Sequence, residues 1–433
     1  MTQADAEDLS IQFASEMERL HDGGPIGVAV SGGGDSIALL HLAHDWAQRT
    51  GIDVYVATVD HGLRPESGEE AASVAMACAA LGLSHQTLLW TGWNGRGNLQ
   101  AEARAARQHL LTDWARTKGL RAILLGHTMD DQAETVLMRL GRGSGVDGLS
   151  GMRPRTDRNG LSWLRPLLGV RREDLRSWLT ARRIDWIDDP SNDDPRFDRV
   201  KARQALAGLA GLGVTAPGLA ATAERLQDAR DALDHAAGAL AANATRWGAC
   251  GECYLSLTPF RAAPSETQRR LLRAALTRAS GTAYGPRADA EQKLLSAILS
   301  VRLGGGRSLH GCLVRPNGID GVVITREVAA TRSDETPLWD GRFEIEADPS
   351  AADAKIIALG EAGATHLARH AADGAWIAPP DWSAAPRAAQ LATPALFRDG
   401  SLIAAPVAAY GDGLKARFAP TTHWWDDNAP LTV

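Results

Sequence analysis

The hexapeptide Ser31-Gly32-Gly33-Gly34-Asp35-Ser36 stands between a short apolar run and a helical pattern. A glycine-rich turn in that setting offers backbone N–H groups and the positive end of a helix to phosphate oxygens. The loop lacks the Gly-Lys-Ser/Thr ending of a Walker A sequence, so transfer of a terminal phosphate is not the chemistry it points to. Ser31 and Ser36 add hydroxyl donors. Asp35 is an acid set beside polyphosphate, which makes sense if it holds Mg²⁺ or orients the loop. The plainer alternative is a glycine turn whose Asp caps a helix.

A second group of chemistry-bearing residues is Asp130, Asp131 and Glu134, which open a helical pattern just after an apolar run. The spacing of three between Asp131 and Glu134 puts both carboxylates on one helical face, where they would suit an ammonium group or a metal ion. Acids that merely cap a helix and favour its dipole read the same way. Arg104 and Arg107 share a helical face and would either neutralise phosphate charge, contact an RNA backbone or form surface ion pairs. His61 and His127 fall at strand ends, where ligands collect, as structural or as catalytic histidines.

Alternating elements must position these groups. Strand-like runs at 26–30, 54–59, 86–90 and 122–125 alternate with helical patterns at 8–20, 37–43, 69–81, 99–118 and 131–140. That alternation predicts a doubly wound parallel α/β sheet with its ligand at the carboxyl ends of the strands. Glycines at 141, 143, 145, 148 and 151 break the pattern, and a shorter unit follows with a strand at 163–168 and a helix at 171–182. Ala- and Leu-rich helical spacing at 219–244, 267–279 and 288–301 predicts a helical middle domain. Short strand-like segments at 309–314, 322–325, 342–345 and 402–407 predict a small mixed α/β domain at the end. The boundaries expected are 1–210, 211–330 and 335–433.

With 433 residues the chain is long enough for two or three cores. The hydrophobic fraction of 44% and charged fraction of 23% are those of a globular protein, and no apolar run is long enough to span a membrane. The first ten residues carry Asp5, Glu7 and Asp8 and no apolar core of a secretory signal, so a cytoplasmic location is expected. Four cysteines make no disulfide framework, and Cys250-x-x-Cys253 lacks the second pair of a zinc ribbon. Net charge is -6, yet the segment 139–203 carries 14 Arg and one Lys against nine Asp and one Glu, enough for a local phosphate-binding surface.

The hexapeptide resembles the SGGxDS motif of the N-type ATP pyrophosphatases, which attack the α-phosphate and release pyrophosphate. That class includes GMP synthetases, NAD synthetases, argininosuccinate synthetases, tRNA thiolases and tRNA(Ile)-lysidine synthetases. The remaining motifs resemble the last of these. Asp60-His61-Gly62-Leu63-Arg64 is similar to DHGLR, and Gly126-His127-Thr128-Met129-Asp130-Asp131-Gln132-Ala133-Glu134-Thr135 to GHHxDDQAET, with Thr128 in place of the second His. Asn98-Leu99-Gln100, Ala103-Arg104 and Arg107 follow the family's Q, AR and R pattern, with Gln108 where an aromatic is common. Arg142-Gly-Ser-Gly145, Arg165-Pro166-Leu167-Leu168 and Asp189-Pro190-Ser191-Asn192 complete the series in order, and 394–397 with 402–406 resemble a C-terminal strand pair. The resemblance is strong from about 26 to 203 and weaker beyond.

The resemblance implies a ligase that uses ATP and Mg²⁺ to join L-lysine to C2 of the wobble cytidine in the CAU anticodon of tRNA(Ile). It assigns ATP to Ser31, Gly32, Gly33, Gly34, Asp35, Ser36, Asp60, His61, Gly126 and His127, with Mg²⁺ on Asp35. It assigns lysine to Asp131 and Glu134, and catalysis to Asp35, Arg104 and Asp131. RNA contacts fall to Arg64, Arg107, Arg142, Arg165, Arg199 and Arg203, and to the C-terminal domains, whose Trp339, Trp424 and Trp425 are core residues or stacking platforms. Family members are often homodimers. A tRNA thiolase of the same superfamily would need sulfur-carrying cysteines near the loop, where Cys78 stands alone. A catalytically silent tRNA-binding protein would not need the acids of the loop.

Overall fold

The computed structural model describes residues 3–62, 67–91, 93, 99–158, 160–188, 196, 198–282, 284–333, 338–348 and 353–419. The chain divides into two compact units, and the division falls after Arg230. The first begins with α1 (Gln3–Leu20), β1 (Ile26–Ala29), α2 (Gly34–Thr50), β2 (Val54–Asp60), α3 (Ser67–Ala80), β3 (Ser84–Leu89), α4 (Leu99–Lys118), β4 (Ala122–Leu125) and α5 (Met129–Gly141). It continues with α6 (Val146–Leu149), β5 (Arg155–Arg158), β6 (Leu161–Leu164), α7 (Arg172–Ala181) and α8 (Asp198–Leu209), and α9 (Ala216–Ala244) spans the division.

The six strands form one sheet in the order β3-β2-β1-β4-β6-β5. All neighbours are parallel except β5, which returns antiparallel beside β6. β1 and β4 are buried at every position because helices cover both faces of the sheet, so their sequences read as unbroken apolar runs. Phe13 and Met17 of α1, Leu39 and Leu40 of α2 and Leu175, Trp178 and Leu179 of α7 fill one side. Leu111 and Trp114 of α4 fill the other, against Ile123, Leu125 and Trp163. The strand order reverses between β1 and β4, and a crevice at the carboxyl ends of the strands opens at such a reversal. The loops after β1 and β4 are the two that carry Ser31–Ser36 and Gly126–Glu134.

The second unit contains β7 (Thr245–Trp247), β8 (Cys253–Ser256), α10 (Leu257–Ala262), α11 (Ser265–Ser280), α12 (Ala288–Leu299), β9 (Arg307–Leu309), β10 (Cys312–Pro316) and β11 (Gly321–Arg326). These strands form an antiparallel sheet, β7-β8-β11-β10-β9, packed on α11 and α12 through Leu271, Leu272, Leu295, Val314 and Ile324. The single strand expected at 309–314 is therefore a hairpin, closed by His310 and Gly311, both with positive φ. Two further sheets follow, β12 (Phe343–Ala347) with β16 (Leu414–Phe418), and β13 (Lys355–Ala358), β14 (Pro394–Arg398) and β15 (Ser401–Ala404), with α13 (Gly360–Ala372), α14 (Pro380–Ala384) and α15 (Arg387–Leu391) between them. Asp340, fully buried, ties the two halves of this unit together: it accepts from Arg326 of β11 at 2.9 and 3.1 Å and from Arg342 beside β12 at 2.7 Å. Trp339 is buried beside it against Phe343, a core residue and not a stacking platform, while Trp424 and Trp425 lie outside the described residues.

Cys250 lies in the turn before β8 and Cys253 within it, so the pair belongs to the sheet and not to a helix. All four cysteines are free and buried. Burial pushes the Cys78 thiol up to about 11 and Cys312 up to about 12, and moves Cys250 and Cys253 in the same direction. Protonated, enclosed thiols are poor nucleophiles and poor sulfur carriers.

Candidate active site

The loop after β1 is held open by its own side chains. The Ser31 N–H donates to Ser36 Oγ at 3.1 Å, and Ser36 Oγ donates to the Gly33 carbonyl at 2.8 Å. Gly32 adopts φ +93°, a conformation L side chains rarely take, and its carbonyl accepts from the Ile187 N–H at 3.0 Å. The Ser36 and Ile37 N–H groups both donate to the Gly33 carbonyl at 3.0 Å, and the start of α2 turns the positive end of its dipole toward the loop. Gly126, just after β4, packs tightly: a Cβ there would lie 3.2 Å from Asp35 O and Ser36 Cα. The two motif loops therefore meet backbone to backbone.

Thr128 is the N-cap of α5. Its hydroxyl accepts from the Asp131 N–H at 3.4 Å, and Asp131 Oδ2 accepts from the Thr128 N–H at 2.8 Å, a reciprocal capping box. The substitution of Thr for the family's usual second His thus keeps a defined local task, fixing the rotamer of Asp131. Asp130 serves a different helix: its Oδ2 accepts the Arg172 N–H at 2.7 Å, an anion at the start of α7.

Asp35, Asp131 and Glu134 converge on one guanidinium. Arg172 donates from Nε to Asp35 Oδ2 at 2.9 Å, from Nη2 to Asp131 Oδ1 at 3.1 Å and from Nη1 to Glu134 Oε1 at 3.5 Å. From α8, which packs along α5, Arg203 Nε reaches Glu134 Oε1 at 3.0 Å and Arg199 comes within 3.7 Å of Asp131 Oδ1. Glu134 is almost fully enclosed, with its side chain 2% exposed. Asp35 Oδ1 and Glu134 Oε2 are buried without a hydrogen-bond partner. Burial raises the Asp35 pKa against the opposing pull of Arg172, whereas Asp131, also opposed by burial, is lowered overall by Arg172, Arg199 and His127.

Nothing in the sequence motifs singles out Arg172. The signal available is its position: Arg171 and Arg172 begin a helix, where the dipole disfavours cations. A basic pair placed against the dipole needs nearby carboxylates, and this chain supplies them from α2 and α5.

His127 is half-buried, with its Nδ1 shut off from solvent. Burial pushes its pKa down to about 3, helped by Arg165, Arg199 and Arg107 and opposed by Asp131, so the ring is neutral at physiological pH. An unfolded His takes a proton near 6.5 and the folded one does not until about 3, so the unfolded state binds more protons in between. Stability therefore falls as pH drops through that window, by on the order of 2 kcal/mol between about pH 6.5 and about pH 5. Denaturation midpoints followed against pH should show this slope, and His127→Gln should flatten it. A slope unchanged in the variant would contradict the assignment.

The family model of the PP-loop domain matches residues 6–209. A tRNA(Ile)-lysidine synthase of Ruegeria pomeroyi is 44% identical over 413 residues, covering 94% of this chain and 93% of the relative. The chain belongs to the tRNA(Ile)-lysidine synthase family. Other lysidine synthases are similar: one from Hyphomonas neptunium is 40% identical, covering 67% of this chain and 78% of its own, and one from Methylobacterium nodulans is 41% identical, covering 71% and 93%. The doubly wound α/β sheet of the PP-loop class expected from the sequence is the fold of this lysidine synthase family member, and the middle stretch expected to be helical carries the five-stranded sheet β7-β8-β11-β10-β9 beside its helices.

The remaining residues assigned by resemblance fall as follows. Asp60 closes the turn after β2, with Oδ1 accepting the Gly62 N–H at 2.8 Å, and contacts with Ser67 and Gly62 hold its carboxyl below the usual range. His61 sits edge-on to Trp90 at 5.7 Å, its pKa lowered by burial and by Arg107. Arg104 is exposed on α4 and Arg107 is half-buried. Arg165 is buried, donating to Arg153 O at 3.0 Å and Thr156 Oγ1 at 3.3 Å, so it has little outer surface to offer an RNA, and its charge acts on His127 instead. Arg142 is exposed and paired with Asp198 at 3.1 Å. Arg64, Asn98 and the segment 189–192 lie outside the described residues, as does the side chain of Gln100.

Proposed function

We propose that the chain ligates L-lysine to C2 of the wobble cytidine in the CAU anticodon of tRNA(Ile), using ATP and releasing AMP and pyrophosphate. The observation that carries this reading is 44% identity to a tRNA(Ile)-lysidine synthase across nearly the whole chain. Convergence of the pyrophosphate loop and the Asp131–Glu134 face at the sheet's reversal point supports it. Cytosine C2 is a poor electrophile because its oxygen leaves poorly. O2 attacks the α-phosphate, pyrophosphate departs, and O2 becomes part of a leaving AMP. The uncharged ε-amine of lysine then forms the C2–N bond as AMP departs with that oxygen.

In this reading Ser31 to Ser36 hold the polyphosphate through backbone N–H groups, and Asp60, His61, Gly126 and His127 border the nucleoside. Asp131 and Glu134 hold the lysine ammonium before it loses its proton, and Arg104 and Arg107 face charge that builds on the phosphates. The main contributions are positioning and charge stabilisation. Asp35 fits Mg²⁺: a single half-buried carboxylate with Oδ1 unpartnered is the kind of ligand this ion takes alongside phosphate oxygens. Bound there, the ion would neutralise the departing pyrophosphate.

RNA contacts are assigned to Arg142, Arg199 and Arg203 beside the pocket and to the second unit. There, Lys293, Arg302 and Arg307 line an open groove of about 350 Å³ with Ser296 and Ser300, and among the described residues no carboxylate lines it. A triple charge reversal, Lys293→Glu with Arg302→Glu and Arg307→Glu, is expected to raise the KM for tRNA about tenfold and to flatten the salt dependence of binding by about one unit for each phosphate that these cations engage. Unaltered KM and salt slope would remove the groove from the interface. Among the described residues no single helix is long and apolar enough to cross a membrane. We place the enzyme in the cytoplasm with its tRNA, and the homodimer common in the family is read directly by sedimentation of the purified chain.

The proposed reaction is tested by pyrophosphate release from ATP. Release that requires a CAU-anticodon tRNA(Ile) is expected; release without RNA, or with any RNA, would reassign the substrate.

A further inference from the structure

Arg172 uses three of its N–H groups on three carboxylates that belong to two different half-sites. Asp35 lies in the polyphosphate loop, whereas Asp131 and Glu134 form the pocket assigned to the lysine ammonium. The pocket has few oxygens to spare. Asp131 Oδ2 is committed to the Thr128 N–H at 2.8 Å and its hydroxyl at 3.0 Å, which leaves Oδ1, and Arg172 occupies it at 3.1 Å. Glu134 Oε1 is shared by Arg172 at 3.5 Å and Arg203 at 3.0 Å, and Oε2 is buried with no partner. Arg199 also faces Asp131 Oδ1, at 3.7 Å. Arg199 and Arg203 are 40% and 42% exposed and have solvent to move into, but the Arg172 side chain is 19% exposed and its backbone is pinned by Asp130.

We propose that Arg172 is a positioning residue that competes with the lysine ammonium for Asp131 Oδ1 and Glu134 Oε1, and that its guanidinium couples the lysine pocket to the polyphosphate loop. The inference rests on the assignment of lysine to Asp131 and Glu134. An ammonium arriving at Asp131 displaces the Nη edge of Arg172, while Nε stays on Asp35 and the freed edge turns to the phosphate side. Phosphates that draw the guanidinium away from Asp131 raise lysine affinity, and by linkage lysine raises nucleotide affinity by the same factor.

The test is lysine affinity by equilibrium dialysis of the full chain, with and without a non-hydrolysable ATP analogue, in the wild type, Arg172→Gln and Arg172→Lys. Arg172→Gln removes the competing charge, so lysine alone is expected to bind at least threefold more tightly than to the wild type. The strengthening by the ATP analogue should disappear. In turnover the KM for lysine should fall while kcat falls at least tenfold, a split that loss of packing alone would not give. Arg172→Lys, which cannot span three carboxylates, should shift lysine affinity in the same direction by less and serves where Arg172→Gln does not fold. Equal or weaker lysine binding in these variants would overturn the proposal. Asp131→Asn separates the two levels: if it abolishes lysine binding while Arg172→Gln fails to tighten it, the pocket stands and the competition falls. If Asp131→Asn leaves lysine binding intact, the pocket assignment itself is wrong.

Discussion

Asp35→Asn is expected to lower kcat/KM by about 10²–10³-fold, the scale seen when a charge-stabilising group is taken from an enclosed active site. The same substitution is expected to leave the thermal midpoint unchanged or slightly raised. Asp35 is half-buried, its pKa raised by burial despite Arg172, and its Oδ1 has no partner, so its ionised form is held at a cost to the fold. Asparagine keeps the shape, removes the charge, and leaves Arg172 with Asp131 and Glu134. A residue retained at such a position is retained for what it does to a ligand, which is the polyphosphate and, on this assignment, Mg²⁺. Measured pyrophosphate release against melting temperature separates the two effects. Loss of both together would make Asp35 a structural residue.

The second large effect is on stability and lies far from the chemistry. Asp340→Ala leaves Arg326 and Arg342, 3% and 1% exposed, buried beside one another without their shared carboxylate. Removing one partner of a buried ion pair while the other remains costs about 3–5 kcal/mol. Urea denaturation of the second unit should lose stability on that scale. Arg142→Ala, which breaks an exposed pair with Asp198, should change it by less than about 1 kcal/mol. A small effect at Asp340 would show that water reaches the two guanidiniums.

Parts of this architecture are legible in the sequence for clear physical reasons. Strands β1 and β4 are covered on both faces, so they are continuous apolar runs, and the glycine loop between strand and helix is punctuated by residue types no ordinary turn requires in that order. Strand β5 is not legible. Its sequence, Arg155-Thr156-Asp157-Arg158, buries only Thr156, because it is an edge strand held in place by β6 and not by its own apolar face. In the second unit the hairpin of β9 and β10 reads as one strand since its two-residue turn leaves no break in composition, and α13 to α15 are hidden in an alanine-rich stretch with little periodic contrast.

The site divides in the same way. Asp131 and Glu134 share a helical face that a spacing of three announces, and Asp35 is announced by its loop. Arg172, Arg199 and Arg203 reach those acids from α7 and α8, across sequence separations that no local pattern encodes. Local patterns therefore cannot convey that the acidic pocket is already neutralised by cations from elsewhere in the fold. Thr128 illustrates the converse. This departure from the family pattern is a helix cap that fixes Asp131, a role the motif comparison does not convey.

Incorporation of radiolabelled lysine into unmodified tRNA(Ile) by the purified chain and ATP is the most direct measurement. Label that enters the RNA, vanishes when the anticodon cytidine is replaced and is lost in Asp35→Asn is the expected result. Pyrophosphate release with no label in the RNA would contradict the lysine ligase function and assign the adenylated base to another nucleophile.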